Sequence, residues 1–257
     1  MLRAGAALFA AAVWPLVFCP AAVAQGGADA PRHLALAREL VANVRPENNQ
    51  YRLGGRFIGF PGDRQDATYA VQADCSGFLL AVFERAGYPT QSRMAFLAPS
   101  PKRKRPAAED FVHSIETGKG FQPVRGVANI RPGDLLAHAM LDAADQRQTG
   151  TTGHVFLIDS VPRPAGYGNP VIAGTTQFEV LVIDTNDERV GADDTRLADP
   201  ASKAAGLGRG TIRLYADAGG ELVGWARTFR KAVFYSYDPR FPSSTKLRKA
   251  ALGRPLP

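Results

Sequence analysis

Asp74-Cys75-Ser76-Gly77-Phe78 is the stretch that decides the interpretation of this sequence. The residues that follow it are apolar at the spacing of one helix face, and a glycine then ends the pattern. Aspartate is a preferred residue for capping a helix N-terminus, so Cys75 is predicted in the first helical turn. Unpaired N–H groups and the helix dipole favour a negative charge at that position. Because the thiolate is the reactive form of cysteine, the position is typical of a nucleophile.

A different interpretation of Cys75 is a small, buried apolar residue, which is the usual position of a free cysteine. Its neighbours Asp74, Ser76 and Gly77 are polar or lack a side chain, and they do not suit an apolar pocket. We therefore interpret Cys75 as a candidate nucleophile.

The first 24 residues have the features of an export signal. Arg3 gives a positive start, residues 6–18 are almost wholly apolar, and Ala22-Val23-Ala24 fits a small-residue cleavage site. No membrane anchor is expected, since the apolar run is short and no basic stop-transfer segment follows it. Cleavage would remove one of the two cysteines and leave Cys75 alone, so no internal disulfide is expected. The mature protein is predicted to be periplasmic or extracellular.

The chain is basic, with 31 Lys and Arg against 24 Asp and Glu, a net charge of +7. A basic surface suits a polyanionic partner such as cell wall, a membrane surface or nucleic acid, and charge alone does not choose among them. The local run Lys102-Arg103-Lys104-Arg105 is interpreted first as a solvated loop and second as a wall-binding patch. About 230 residues remain after cleavage, enough for one core. We predict one domain at residues 31–238 and a loose, basic, proline-containing tail at 239–257.

The hydrophobic patterns place helices first and strands afterwards. This order predicts an α+β fold in which the helix of Cys75 packs against an antiparallel β-sheet. The predicted helices lie at residues 31–44, 75–86 and 107–117, and the predicted strands at 135–138, 154–159, 178–183, 211–215, 222–227 and 232–237.

A cysteine nucleophile needs a base and a third group that orients the base. His154 begins an apolar strand directly after a polar loop, whereas His138 ends the preceding strand and is the rival candidate. We favour His154, because catalytic side chains collect where strands meet loops. Asp184 ends the next strand and can reach His154 if the two strands are neighbours. The alternative for Asp184 is an ordinary turn residue at a strand end.

The order of these motifs resembles the NlpC-type cell-wall peptidase family. The similar segments are Asp-Cys-Ser-Gly-Phe at 74–78, Gly-Asp-Leu-Leu at 133–136, Gly-His-Val at 153–155 and Val-Ile-Asp at 182–184. Tyr-Arg-Leu-Gly-Gly at 51–55 is similar to the family's Tyr-x-Trp-Gly-Gly segment, with leucine in place of tryptophan. Members are papain-like cysteine peptidases that cleave peptidoglycan stem peptides, usually after D-glutamate.

The resemblance implies a papain-like NlpC-type fold and a catalytic set. Cys75 would be the nucleophile, His154 the general base and then acid, and Asp184 the orienting residue, where many members have histidine. Backbone N–H groups at the start of the Cys75 helix would stabilise the oxyanion.

The resemblance also implies how the substrate binds. Tyr51 and Asp74 would help to hold the free amine of the substrate peptide, and Ser76 is included with them as a candidate substrate-binding residue. The predicted partners are peptidoglycan stem peptides, with no cofactor, no metal and no nucleic acid. Three departures affect the expected specificity: a long segment between Gly55 and Asp74, an added loop at Gln91–Ala108 and an added hairpin at Thr211–Arg227.

Two other functions stay open from the sequence. The same cysteine–histidine pair can catalyse amide hydrolysis or acyl transfer, since an acyl-enzyme intermediate is common to these reactions. The chain could instead be a non-catalytic wall-binding module, although such a module has no use for a thiol, an imidazole and a carboxylate in family order. The sequence predicts no oligomeric state.

Overall fold

The computed structural model describes residues 30–63, 68–89, 105–142, 144, 146, 151–166, 168–198, 205–229, 231–241 and 245–257. The predicted export signal, the basic residues 102–104 and most of the Gln91–Ala108 loop lie outside the described residues.

The architecture is mostly β-structure, and the predicted α+β, papain-like NlpC-type fold with a nucleophile helix on an antiparallel sheet is wrong. The described residues form twelve strands and three α-helices, and nine of the strands belong to one antiparallel sheet. The prediction failed because segments interpreted as loop or tail form strands, and because two predicted short strands are each eleven residues long. Together they build a sheet much larger than one helix can cover.

The large sheet is antiparallel at every pairing. Its strands are β4 (Phe121–Pro123), β5 (Leu135–Met140), β6 (Gly153–Ile158), β7 (Arg163–Pro164), β8 (Thr176–Asn186), β9 (Gly206–Ala216), β10 (Leu222–Arg227), β11 (Phe234–Ser236) and β12 (Arg248–Pro255). Their order is β11-β10-β9-β8-β6-β5-β12-β4, and β7 pairs with β8 outside this path.

A small three-stranded sheet directly precedes the candidate nucleophile in the chain. Its strands are β1 (Asn49–Tyr51), β2 (Arg56–Gly59) and β3 (Ala70–Ala73), in the order β1-β3-β2. β1 pairs with β3 in parallel and brings Tyr51 opposite Ala73. Since β3 leads through Asp74 into the next helix, this register brings Tyr51 close to the nucleophile.

The three helices are α1 (Arg32–Asn43), α2 (Cys75–Arg85) and α3 (Ala108–Glu116), which confirms the predicted helices to within a few residues. Helix α1 buries Leu34, Ala37 and Leu40, three or six residues apart on one face. Helix α2 is buried at every residue from Cys75 to Phe83, so it is a core helix. No helix in the described part of the chain has the length and apolar character that crossing a membrane requires.

The large sheet is buried on both faces around β5 and β6. Successive side chains of a strand point to opposite faces, so Leu135 and Val155 pack with the three helices in one core. Leu136, Phe156 and Trp225 pack in a second core on the other face. Burial on both faces explains why these strands are almost continuously apolar in sequence.

The chain's last segment is part of this sheet, and the predicted loose tail is wrong. Strand β12 lies between β5 and β4, with Leu252 paired opposite Leu136 and Gly253 opposite both Leu135 and Pro123. The arginine and proline content of the segment favoured a tail, but its apolar residues at 250–252 pack against the sheet. The predicted domain boundary at residue 238 therefore falls inside one folded unit.

Candidate active site

Cys75 is the first residue of helix α2, as the sequence predicts, and its side chain is almost fully buried. Asp74 caps the helix: its carboxylate accepts hydrogen bonds from the Gly77 backbone N–H at 2.8 Å and the Ser76 hydroxyl at 3.0 Å. The first N–H groups of an α-helix have no intrahelical acceptor, so those of Cys75 and Ser76 are suited to bind an oxyanion. The local sequence therefore builds both a nucleophile position and an anion-stabilising one.

Gly77 is required where the helix crosses the small sheet. A Cβ atom at this position would lie 2.0 Å from the carbonyl oxygen of Gly55, which is backbone and cannot rotate away. The backbone N–H of Asp74 donates to the same oxygen at 3.3 Å. The glycine thus allows close contact between the start of α2 and the Gly54-Gly55 turn.

His154 links Cys75 to Asp184. The β6–β8 register pairs Leu157 with Ile183, which puts His154 and Asp184 on the same face of neighbouring strands. His154 Nε2 lies 2.8 Å from the Asp184 Oδ2 oxygen, and the imidazole is near enough to Cys75 for the two side chains to interact electrostatically. Because Nε2 faces the carboxylate, Nδ1 is the nitrogen left for the sulfur. The structure thus brings the three predicted residues together in one line.

The pKa of His154 is raised by its neighbours Cys75 and Asp184. Burial on its own lowers the pKa of His154, because it disfavours the charged imidazolium. The charge of Cys75 and the hydrogen bonds to Asp184 and Cys75 act in the opposite direction and outweigh burial, which raises the pKa of His154 from 6.5 to about 10. His154 is therefore an imidazolium at neutral pH.

Asp184 is fully buried and is itself held by two further residues. Arg196 donates to its Oδ1 oxygen at 2.8 Å, and the Asn186 side-chain amide donates to Oδ2 at 3.3 Å. Burial alone would raise the pKa of Asp184, but the charge of Arg196 and the hydrogen bond from His154 lower it below its ordinary value. The carboxylate therefore stays ionised, and its interpretation as an ordinary turn residue does not describe its surroundings.

Arg196 and Asp194 extend this line of charges into the core. Arg196 donates through Nε and Nη2 to the two carboxylate oxygens of Asp194, at 2.8 Å and 2.7 Å. Gly208 leaves room for the guanidinium, because a Cβ atom there would lie 2.3 Å from Arg196 Nε. Asp194 is buried, although it belongs to an acidic segment at residues 187–194. An arginine two residues after an aspartate was the available sequence signal.

His138 lies beside His154 but has a different environment. Its ring is fully buried, with its centroid 6.1 Å from that of His154 and 5.8 Å from that of Trp225. Burial, together with the nearby charges of Arg248 and His154, lowers the pKa of His138 well below its ordinary value. His138 is thus a neutral core histidine, and neither His138 nor His154 is among the residues that line the pocket at Cys75.

A pocket of about 560 Å³ opens in front of Cys75. Tyr51, the candidate amine-binding residue, lines it, and burial together with the charges of Cys75 and Asp74 raises the pKa of its hydroxyl. The phenol therefore stays protonated and can donate a hydrogen bond into the pocket. The lining is formed by Tyr51, Leu53, Gly54, Arg56, Asp74, Cys75, Ser76, Arg105, Ala107, Ala108, Thr151, Thr152 and Gly153.

The remaining two predicted binding residues, Asp74 and Ser76, form a partly buried cluster with an arginine. Arg105 bonds the Asp74 carboxylate through Nη2 and donates from Nη1 to the Ser76 hydroxyl at 2.8 Å. The sequence interpretation missed Arg105, because it belongs to a basic run that resembles a solvated loop. The structure instead directs its side chain toward the start of helix α2.

An isosteric change at Asp184 should alter how activity depends on pH. Asp184→Asn keeps a hydrogen-bonding group but removes the charge that favours the imidazolium, so the pKa of His154 should fall. The raised pKa keeps His154 protonated until the pH passes about 10, where the alkaline limb of kcat/KM should lie. We expect that limb to move about one pH unit or more lower in Asp184→Asn, with part of the activity retained. Asp184→Ala should retain less.

The measurement is the pH profile of hydrolysis for the wild type and both variants. The limb reports the coupled pair of Cys75 and His154, so the shift, and not an absolute value, is the result to compare. An alkaline limb that stays in place in Asp184→Asn would show that the carboxylate does not hold the proton on His154.

Comparison with protein-family models finds no match, and no solved structure matches the chain. The chain is similar to uncharacterized protein R653 of Acanthamoeba polyphaga mimivirus, with 30% identity over 222 residues. The alignment covers 80% of this chain and 91% of the relative. The relative's name gives no activity, so the function is argued from the site, and the resemblance to the NlpC-type family stays a prediction from motifs.

Proposed function

Because this chain belongs to one family with the mimivirus protein R653, whose name gives no activity, we propose its function from its own site. That function is the hydrolysis of amide bonds by cysteine covalent catalysis. One observation carries the proposal: the His154 imidazole interacts with Cys75 and is hydrogen-bonded to the Asp184 carboxylate. Nucleophile, base and orienting carboxylate in this order are the parts that such catalysis needs. A binding module would not require them.

Each group has a defined step in the proposed reaction. The Cys75 thiolate attacks the carbonyl carbon of the amide, and the oxyanion forms near the free N–H groups at the start of α2. The His154 imidazolium gives its proton to the leaving amine, which breaks the C–N bond and leaves an acyl-enzyme. Neutral His154 then takes a proton from water as the water attacks the thioester. The acid leaves, and the thiolate–imidazolium pair is restored.

The proposed substrates are peptidoglycan stem peptides, cut at the bond between γ-D-glutamate and a diamino acid. Support for this choice comes from the order of the sequence motifs, the predicted export signal and the basic net charge of +7. These features suit an exported enzyme that acts on an anionic wall polymer. They bear on where the enzyme works, whereas the reaction class is supported by the site.

The test is a digest of purified peptidoglycan peptides with residues 25–257, analysed by mass spectrometry. We expect product pairs whose masses add up to the substrate plus one water. Products that instead carry an added amine, when one is supplied, would indicate acyl transfer by the same site. No turnover, together with alkylation of Cys75 no faster than that of free cysteine, would contradict a cysteine hydrolase.

A further inference from the structure

We propose that the pocket at Cys75 binds a carboxylate of the substrate, close to the scissile amide, and that Arg105 is the residue that recognises it. This inference rests on the proposed function and names the substrate class for the same site. It replaces the amine-binding role that the sequence resemblance implies for Asp74. The pocket, the hydrogen bonds of Asp74 and the free donors of Arg105 support it in turn.

Asp74 has no capacity left for a substrate amine. Its Oδ1 oxygen accepts from the Gly77 N–H at 2.8 Å and the Ser76 hydroxyl at 3.0 Å. Its Oδ2 oxygen accepts from the Gly54 N–H at 2.7 Å and from Arg105. A carboxylate offers about four lone-pair sites, so these four hydrogen bonds saturate it. Its charge is also paired with a guanidinium, and an ammonium group would have to displace that partner.

Arg105 still has donors to offer. A guanidinium has five N–H donors, and here Nη1 bonds the Ser76 hydroxyl at 2.8 Å and the Pro106 carbonyl at 3.4 Å, while Nη2 bonds Asp74. Among the described residues, the Nε–H and one Nη2–H have no acceptor. The side chain is 17% exposed and lines the pocket, so these donors can meet a ligand. Arginine is well suited to bind carboxylates, through paired N–H donors.

The charge balance of the pocket also favours an anion. Besides Cys75, the lining contains the charged residues Arg56, Arg105 and the saturated Asp74, which leaves an excess of one positive charge among these three, and His154 lies outside the lining. Arg56 pairs with Glu84, whose side chain is 70% exposed and lies outside the lining. Since Arg105 bonds Ser76, the residue next to Cys75, the bound carboxylate would lie close to the attacked carbonyl.

Two alkylating reagents of different charge test this directly. Iodoacetate and iodoacetamide react in the same way: the thiolate forms a C–S bond, and iodide leaves with the electrons of the C–I bond. They differ in that iodoacetate carries a carboxylate. The ratio of their rate constants on Cys75 therefore reports carboxylate recognition, and a general change in thiol reactivity cancels. We expect the ratio in the wild type to exceed that of glutathione by about tenfold.

Arg105→Gln should lower the iodoacetate to iodoacetamide ratio by about fivefold or more, because it removes a full charge beside the thiolate. Arg105→Lys keeps the charge but not the planar pair of donors, so its ratio should lie between those of wild type and Arg105→Gln. Arg131→Gln is the matched control, since Arg131 is exposed, lies outside the pocket lining and changes the net charge equally. Its ratio should equal that of the wild type.

The outcomes separate the two proposals. Fast alkylation of Cys75 with an unchanged ratio in Arg105→Gln would overturn carboxylate recognition and leave the cysteine hydrolase in place. A fall in both rates at a constant ratio would also overturn it, because that is the result of a structural role alone. Alkylation by both reagents no faster than that of glutathione would overturn both proposals. A selective fall in the iodoacetate rate supports Arg105 as the carboxylate-binding residue.

Discussion

Cys75→Ala is expected to lower the rate of hydrolysis by about 10⁴-fold or more, because it removes the atom that forms the acyl-enzyme. The fold should survive the change. The residue is 7% exposed at the start of a helix, where alanine is well tolerated, and the loss of one buried sulfur should cost about 1 kcal/mol. The measurements are turnover of the cleaved peptide and thermal unfolding of the same preparation.

Ser76→Ala is the matched control for the nucleophile. Ser76 is the neighbouring residue, and its hydroxyl only completes the hydrogen bonds of Asp74 and Arg105. Losing these two hydrogen bonds should reduce activity about tenfold or less. Full activity in Cys75→Ala, or a collapse in Ser76→Ala alone, would show that the hydrolysis does not run through the thiol.

The local part of the site could be predicted from the sequence because its signals are short-range. A capping aspartate, a cysteine and an apolar helix pattern lie within a dozen residues, and the structure confirms that helix with Asp74 as its cap. Strands β6 and β10 were also predicted close to their observed bounds. Asp184 required one further assumption, that β6 and β8 are neighbours, and their pairing confirms it.

The rest depended on contacts between distant residues, which a single sequence does not display. Arg105 and Arg196 look like surface residues in sequence, and only the fold brings them to Asp74 and Asp184. The composition of β12 does not favour a strand. It forms one because it pairs with β5 on one side and with β4 on the other. These long-range pairings enlarge the sheet, and they are the reason that the predicted fold class failed.

His154→Ala should lower hydrolysis by about a hundredfold to ten-thousandfold, the range that general acid–base catalysis contributes. In the proposed mechanism the imidazole has two roles: it stabilises the negative charge on Cys75, and it protonates the leaving amine. Both are lost with the ring. The measurement is kcat/KM on the cleaved peptide, with the rate of iodoacetamide alkylation of Cys75 at neutral pH as a second readout.

The neighbouring histidine provides the contrast. His138→Phe keeps a ring in the aromatic cluster around Trp225 and Phe156 and removes only the titratable nitrogens. Its activity should stay within about tenfold of the wild type, because His138 is neutral and is not the ring that interacts with Cys75 and Asp184. His138→Ala should lose stability by about 2 kcal/mol or more through the cavity it leaves, with activity per folded molecule largely kept. The reverse order, with His138 essential and His154 dispensable, would mean that the base has been assigned to the wrong strand.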